Sequence, residues 1–480
     1  MRRITPQARS VVILFATKWG DSFMRTPILS RPALIVAAVA ALAGLCTMAG
    51  TAGAAARTSP AADRGTARAA ASGPTPGFAN WPMFRGNLTH SGVSRETAIN
   101  TTSASTLTAG WSASVAPVSY SSPAVVYLPA LGEAVVFVGG LGTFAAYPAS
   151  GGAPLWTFPV TKMVNASPAV LNGVVYFDST DGTIYALNAA TGALDCSFDT
   201  HQFTEGSPLV TEDPDGSGPV IYEGTAPTPG PGFEFAIYGP GNTHGSCTQD
   251  WAFDGWTIHQ TGTWSPPAYG TNANGVPVVV FGSDDPDNSV YAVNADTGAM
   301  LWTYQTNDTT ADDDVGASPT ISAPGVNGFA DGVVYITGKD KVTYALDLTT
   351  GSVLWQHALA VGTAGDVSGT ALVGDTVYLG SDTGVYALNA TTGAQVWRAI
   401  PSHAFYASPA VVGPAGKQVL IIASITGHIY ALNLATGQTL WTQTADSAGI
   451  WSSPAVSQGT IYITGKDGQL VTFTLPSAGR

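Results

Sequence analysis

The chain has 480 residues and a formal net charge of −14, with only 10% charged and 10% aromatic residues against 56 glycines and 32 prolines. This composition describes turns and half-buried strands and excludes a fold built on long helices with charged faces. Its acidity makes phosphate backbones and anionic lipid surfaces poor partners, so neither nucleic acid nor a membrane surface is expected.

Residues 1–56 read as a signal peptide. Arg25 and Arg31 precede the apolar run from Ala33 to Leu45, and Thr51-Ala-Gly-Ala-Ala-Ala56 offers a small-residue cleavage site. Met24 is the more natural start for such a signal. The apolar run falls short of the ~20 residues a helix needs to cross a bilayer. Cys46 raises lipidation, but Leu45 before it is not the small residue such a signal carries. The leader holds six basic residues and one acidic one, so its removal leaves a still more acidic chain with no further membrane span. Residues 57–80, rich in Ser, Ala and Pro, read as a flexible linker ahead of one domain over 81–480.

Two cysteines remain, Cys196 and Cys247. In an oxidising compartment they are expected to pair, two buried thiols being the alternative. No C-x-x-C-H is present, so no covalent haem is expected.

From Trp81 onward the chain repeats itself every 40 to 55 residues. The clearest copies are Tyr185-ALNAATGALDC, Tyr291-AVNADTGAMLW, Tyr344-ALDLTTGSVLW, Tyr386-ALNATTGAQVW and Tyr430-ALNLATGQTLW. Each reads as a strand end, a turn opened by Asn or Asp and closed by Thr-Gly, and a strand start carrying an aromatic. A Ser-Pro opening and a Val-rich strand precede each copy, giving four short strands per unit, which is a propeller blade. The aromatic position recurs eight times, at Trp111, Trp156, Cys196 (a substitution), Trp251, Trp302, Trp355, Trp397 and Trp441. The openings also number eight, with Ser368-Gly369 as the variant. Because Trp111 precedes the first opening, the fold expected is all-β: an eight-bladed β-propeller of four-stranded antiparallel blades, closed by an N-terminal strand that completes the last blade.

The motif Ala-x-Asn/Asp-x-x-Thr-Gly-x-x-x-Trp and the segment Trp81-PMFRGNLTHSG resemble the tryptophan-docking repeat of the pyrroloquinoline quinone (PQQ) propellers, over essentially the whole of 81–476. The tryptophans of the repeat are expected to pack blade on blade.

Function in a propeller gathers at the axis, where loops lead into the first strands. The residues there are Tyr120, Asn165, Glu205, Trp264, Asp312-Asp313-Asp314, Asp366, His403, Phe405, Tyr406 and Trp451. In the alcohol-oxidising members of the family an indole floors the quinone, an aspartate takes the alcohol proton and a basic group contacts the quinone oxygen. The resemblance implies Trp264 as that floor, Asp312 as the base, Lys339 as the basic residue, Trp451 and Tyr406 as further cofactor contacts, and Asp314 and Glu205 as ligands of calcium or a lanthanide. The chain departs from the pattern in lacking a vicinal Cys-Cys pair and the flanking residues that would mark Glu223 or Glu234 as metal ligands. Gly465-KDGQL also repeats the context of Lys339, as a plain turn would.

Asp213-PDGSG lacks a glutamate at the twelfth position of a calcium loop, Ser283-DDPDN reads as a surface turn, and the seven histidines show no ligand spacing. The sequence therefore points first to a monomeric, secreted or envelope-associated propeller without cofactor that binds a protein or glycan. The alternative is a PQQ-dependent alcohol dehydrogenase.

Overall fold

A computed structural model describes residues 78–226, 233–254, 261–307, 313–362 and 368–476, all within the unit Ala67–Arg480. They form eight antiparallel blades. Blade 2 shows the pattern: strands Ala169–Leu171, Val174–Ser179, Thr183–Asn188 and Leu194–Asp199 hydrogen-bond in that order from the axis outward. Blades 3 to 7 repeat it. In blade 1 the second and third strands run as one, Glu133–Pro148, its first half paired to Ala124–Leu128 and its second to Trp156–Met163. Blade 8 consists of Ala455–Ser457, Thr460–Thr464 and Gln469–Thr474, with Thr108–Ser114 from the front of the chain paired on the outside.

Second strands lie between two neighbouring blades and are buried on both faces, which is why they read as unbroken apolar runs such as Pro277-VVVFG and Val333-VYIT. Outer strands face solvent on one side and alternate, as in Leu194–Asp199.

The repeat motif has a physical cause at each position. Asn188 Oδ1 accepts from the amides of Ala190 and Thr191 and from the Thr191 hydroxyl, holding the turn; Asp347 and Asn389 do the same. The alanine after each tyrosine faces the outer-strand aromatic position, as in Ala345 opposite Trp355, and the register slips immediately afterwards in blades 2 to 7. Such a bulge twists the outer strand. The indole then reaches the next blade: Trp355 Nε1 donates to Ala390 O at 2.8 Å and its ring lies on Gly393, where a Cβ would sit 2.6 Å from Cε3. Trp111, Trp156, Trp251, Trp302 and Trp397 make the equivalent bond.

At blade 2 the aromatic is Cys196, and a disulfide to Cys247, just ahead of the blade 3 outer strand Thr248–Asp254, stands where the indole would dock. It closes a separation of 51 residues, which the chain-entropy account values at about 4 kcal/mol. Reduction of the folded protein should therefore lower its melting temperature in scanning calorimetry, and Cys196→Ser/Cys247→Ser should match the reduced protein. An unchanged transition on reduction would show that the bridge adds nothing to the blade 2–blade 3 contact.

The ring is also tied near its axis. Ser167, Ser408 and Ser453 amides donate to the hydroxyls of Ser207, Ser453 and Ser122 in the following blades, each at 2.9 Å. The segment ahead of the first blade crosses the axis. Trp81 pairs with Val125, the carbonyls of Pro82, Leu88, Thr89, Ser91 and Gly92 accept from Val170, Tyr269, Ile321, Leu372 and Val411, and Ser94 Oγ donates to Val456 O. This lacing reaches the first strands of blades 1, 2 and 4 to 8. It occupies the axis at their level and leaves the loops ahead of them as the mouth.

Candidate functional site

Three aromatic side chains from three blades meet at one side of the mouth. Trp451, ahead of blade 8, stacks on Tyr120, ahead of blade 1, with centroids 4.9 Å apart, and Tyr406, ahead of blade 7, leans on Trp451 at the same distance. All three are only half-buried. Lys466, in the turn after the second strand of blade 8, places Nζ 4.3 Å from the Trp451 ring and 5.8 Å from that of Tyr120. Two ring faces hold this ammonium, and among the described residues it makes no ion pair.

Across the mouth, Trp264 lies flat against Gly316, where a Cβ would meet the indole at 1.9 Å, so only glycine fits. Lys339 Nζ stands 5.3 Å from the Trp264 centroid and 3.0 Å from Asp314 Oδ2, the two side chains 18% and 14% exposed. The other Asp314 oxygen accepts from the Asp285 amide at 2.6 Å. Asp284 beside it is buried, and burial, then the Asp314 charge, pushes its carboxyl well above the usual range. On blades 2 and 3, Asn165 donates to Glu205 at 2.9 Å. The tip of Glu205 reaches solvent, yet the surrounding protein removes enough water to raise its pKa, against the pull of Asn165 and Lys339.

Of the residues singled out from sequence, Trp264, Lys339 and Asp314 come together, as do Tyr406 and Trp451 with Tyr120. Glu205 stands with Asn165. Asp312 and Asp366 lie outside the described residues. Phe405 is fully buried, against Tyr430, and Asp313 is buried as well. Lys466 stands in Gly465-KDGQL, which in the sequence only repeats the context of Lys339. Its signal was the shared Gly-Lys-Asp context with Lys339, and the difference between the two lysines appears only in space. Asp284 and Asp285, in a run that reads as a surface turn, back Asp314 in the fold.

Among the described residues, Trp264, Lys339 and Asp314 as placed do not fit a metal-borne quinone. The face of Trp264 carries Lys339, the ammonium is bonded to the carboxylate that would serve a metal, and among the described residues no three His, Cys, Asp or Glu side chains converge to hold an ion.

Residues 96–213, 270–386 and 381–478 match the sequence family of outer membrane protein assembly factor BamB. Curated relatives of that name from Salmonella typhimurium and Escherichia coli K12 are 23% identical over 213 residues, 43% of this chain and 52% of theirs. The chain thus spans about half the length of the curated relatives it matches. Among solved structures, quinohemoprotein alcohol dehydrogenase ADHIIG of Pseudomonas putida HK5 superposes with a TM-score of 0.67 at 17% identity, covering 84% of this chain and 81% of that one. A europium-containing methanol dehydrogenase gives 0.64 at 18%, covering 82% and 89%, and BamB of Moraxella catarrhalis 0.58 at 18%, covering 77% and 100%. At such identities these superpositions establish the propeller fold and nothing finer.

Proposed function

The chain belongs to the PQQ-like propeller family of outer membrane protein assembly factor BamB, and on that premise we propose that it is an exported binding module, acting at or outside the cell envelope, whose mouth takes a protein or glycan ligand. The observation that carries this reading is the ion pair of Lys339 with Asp314 over Trp264. Two of the side chains that a dehydrogenase would direct at a quinone and its metal, Lys339 and Asp314, are bonded to one another. Lys466, by contrast, makes no ion pair among the described residues and rests on the half-buried rings of Trp451 and Tyr120. Rings of this kind contribute contact area at small entropic cost, and the ammonium they hold suits an anionic group on the ligand. The leader-like segment supports export, and the name of the relatives supports a partner that is itself a protein of the envelope.

The test is photocrosslinking on living cells. A benzoylphenylalanine at Tyr406 should give a discrete adduct that the same group at Val396, on the outer rim, does not. Calorimetric titration of the mature protein with PQQ plus calcium, then PQQ plus a lanthanide, should give no binding heat. Tight quinone binding together with dye-linked alcohol oxidation would overturn the reading and make this a quinoprotein dehydrogenase.

A further inference from the structure

Blade 7 brings together two histidines that are 25 positions apart in the chain. His403 lies in the loop ahead of the blade's first strand, Ala410–Val412, and His428 opens its third, His428–Asn433. Their ring centroids are 5.8 Å apart and the rings meet at 70°. Tyr430 backs both, at 5.9 and 6.2 Å. Both imidazoles are half-buried. His403 Nδ1 lies 3.0 Å from Ser402 Oγ and His428 Nδ1 3.4 Å from Thr426 Oγ1. When Nδ1–H is donated to those hydroxyls, the lone pair of each ring sits on Nε2, the tautomer that hydrogen bonding on the far nitrogen selects in metal-bound histidines.

The geometry points to a two-histidine site for a borderline divalent transition ion, Zn²⁺ or Cu²⁺, on the rim of the mouth beside Tyr406. With metal–nitrogen bonds of about 2.0–2.1 Å, two imidazoles held on one ion at the tetrahedral angle have centroids about 5 Å apart, somewhat closer than the 5.8 Å between these two rings, so an ion would draw them together. Imidazole nitrogen favours zinc, copper and nickel over the hard ions magnesium and calcium. No third His, Cys, Asp or Glu among the described residues completes a cage. The remaining coordination positions therefore fall to water, or to a donor on whatever occupies the mouth. The site does not depend on the function proposed above, since the ion binds the free protein.

The experiment uses the mature chain without a histidine tag. Isothermal titration with Zn²⁺ should show one equivalent bound, with no heat from Mg²⁺ or Ca²⁺. His403→Ala and His428→Ala should each weaken binding at least tenfold. One equivalent of Cu²⁺ should give an electron paramagnetic resonance spectrum split by two nitrogens in the wild type and by one at most in either variant. His403→Asn and His428→Gln, closer in size, guard against a folding artefact. Absence of Zn²⁺ and Cu²⁺ binding in the wild type would overturn the assignment, as would binding that persists unchanged in the double variant.

Discussion

Raising the pH from 5 to 8 should lower the melting temperature of this protein by on the order of ten degrees, the reverse of what paired carboxylates produce. Asp178, Glu223, Glu234 and Asp284 are all buried. The first three stand on the second and third strands of adjacent blades. Burial pushes the Asp178 carboxyl up to about 7 and those of Glu223, Glu234 and Asp284 well above the usual range, with neighbouring acids adding to it at Asp178, Glu223 and Asp284. In the unfolded chain these groups lose their protons near pH 4, whereas in the folded chain they keep them. Between the two values the folded state holds more protons, so stability falls as the pH rises. Each such carboxyl works against stability by about 1.36 kcal/mol for every pH unit between its unfolded and its folded value. Working in the opposite direction are exposed Asp215, held at about 2 chiefly by His244, below about pH 4, and His90, pushed well below its usual value by burial and then by Arg85, up to about pH 6.5, one buried imidazole against four carboxyls. Calorimetry across the range reads the effect. Glu223→Gln should raise the melting temperature at pH 8 and leave it nearly unchanged at pH 5. A melting temperature that climbs with pH would mean these carboxyls are ionised in the fold.

Restoring the repeat consensus at blade 6 should destabilise the protein. Gly369 occupies the place where the other blades carry the proline of their Ser-Pro opening, so a consensus argument would mark Gly369→Pro as an improvement. In the fold, a Cβ there would stand 2.9 Å from Arg85 Nη1 and 3.0 Å from Ser408 Oγ. Arg85 is buried on the axis, its guanidinium donating to the carbonyls of Ser318 and Pro319 and to Thr320 Oγ1. The Gly369 amide itself donates to Ser408 Oγ at 3.1 Å, a bond that proline cannot make. Overpacking of about 1–3 kcal/mol, a lost hydrogen bond of about 1 kcal/mol and strained charged hydrogen bonds sum to roughly 3–5 kcal/mol. Gly369→Ala should show the steric part alone. In an Arg85→Met background the cost of Gly369→Pro should shrink by 1 kcal/mol or more, a coupling that denaturant titration of the four proteins measures. Strict additivity would show that Arg85 is not what keeps proline out.

Local chemistry wrote most of the propeller into the sequence. Asn or Asp followed by Thr-Gly makes the turn in five of the eight blades for the same hydrogen-bonding reason, the small alanine faces the outer-strand aromatic position, and the Ser-Pro opening recurs, so blade number and the location of the mouth could be counted along the chain. The candidate site was legible only as a ring of positions. Trp264, Asp314 and Lys339 were found because the repeat places them at the axis, and Tyr406 and Trp451 for the same reason. Which of them face one another was not legible, because it depends on partners tens to hundreds of residues away.

Lys339 and Lys466 share a local context, yet Asp314 reaches the first while the second rests on Trp451 and Tyr120. Phe405 stands in the same loop as His403 and Tyr406 yet turns into the core between blades. His403 and His428 become neighbours only when a blade folds back on itself, and Gly369 looks like a lapse in the pattern until Arg85 is seen crossing the axis. The sequence by itself determined the repeat, the turns and the closed all-β architecture, since these follow from bonds within a few residues. The pairing of charges, the burial of the carboxyls and the filling of the axis were decided by the tertiary structure, because each depends on the distance between side chains that only ring closure brings together.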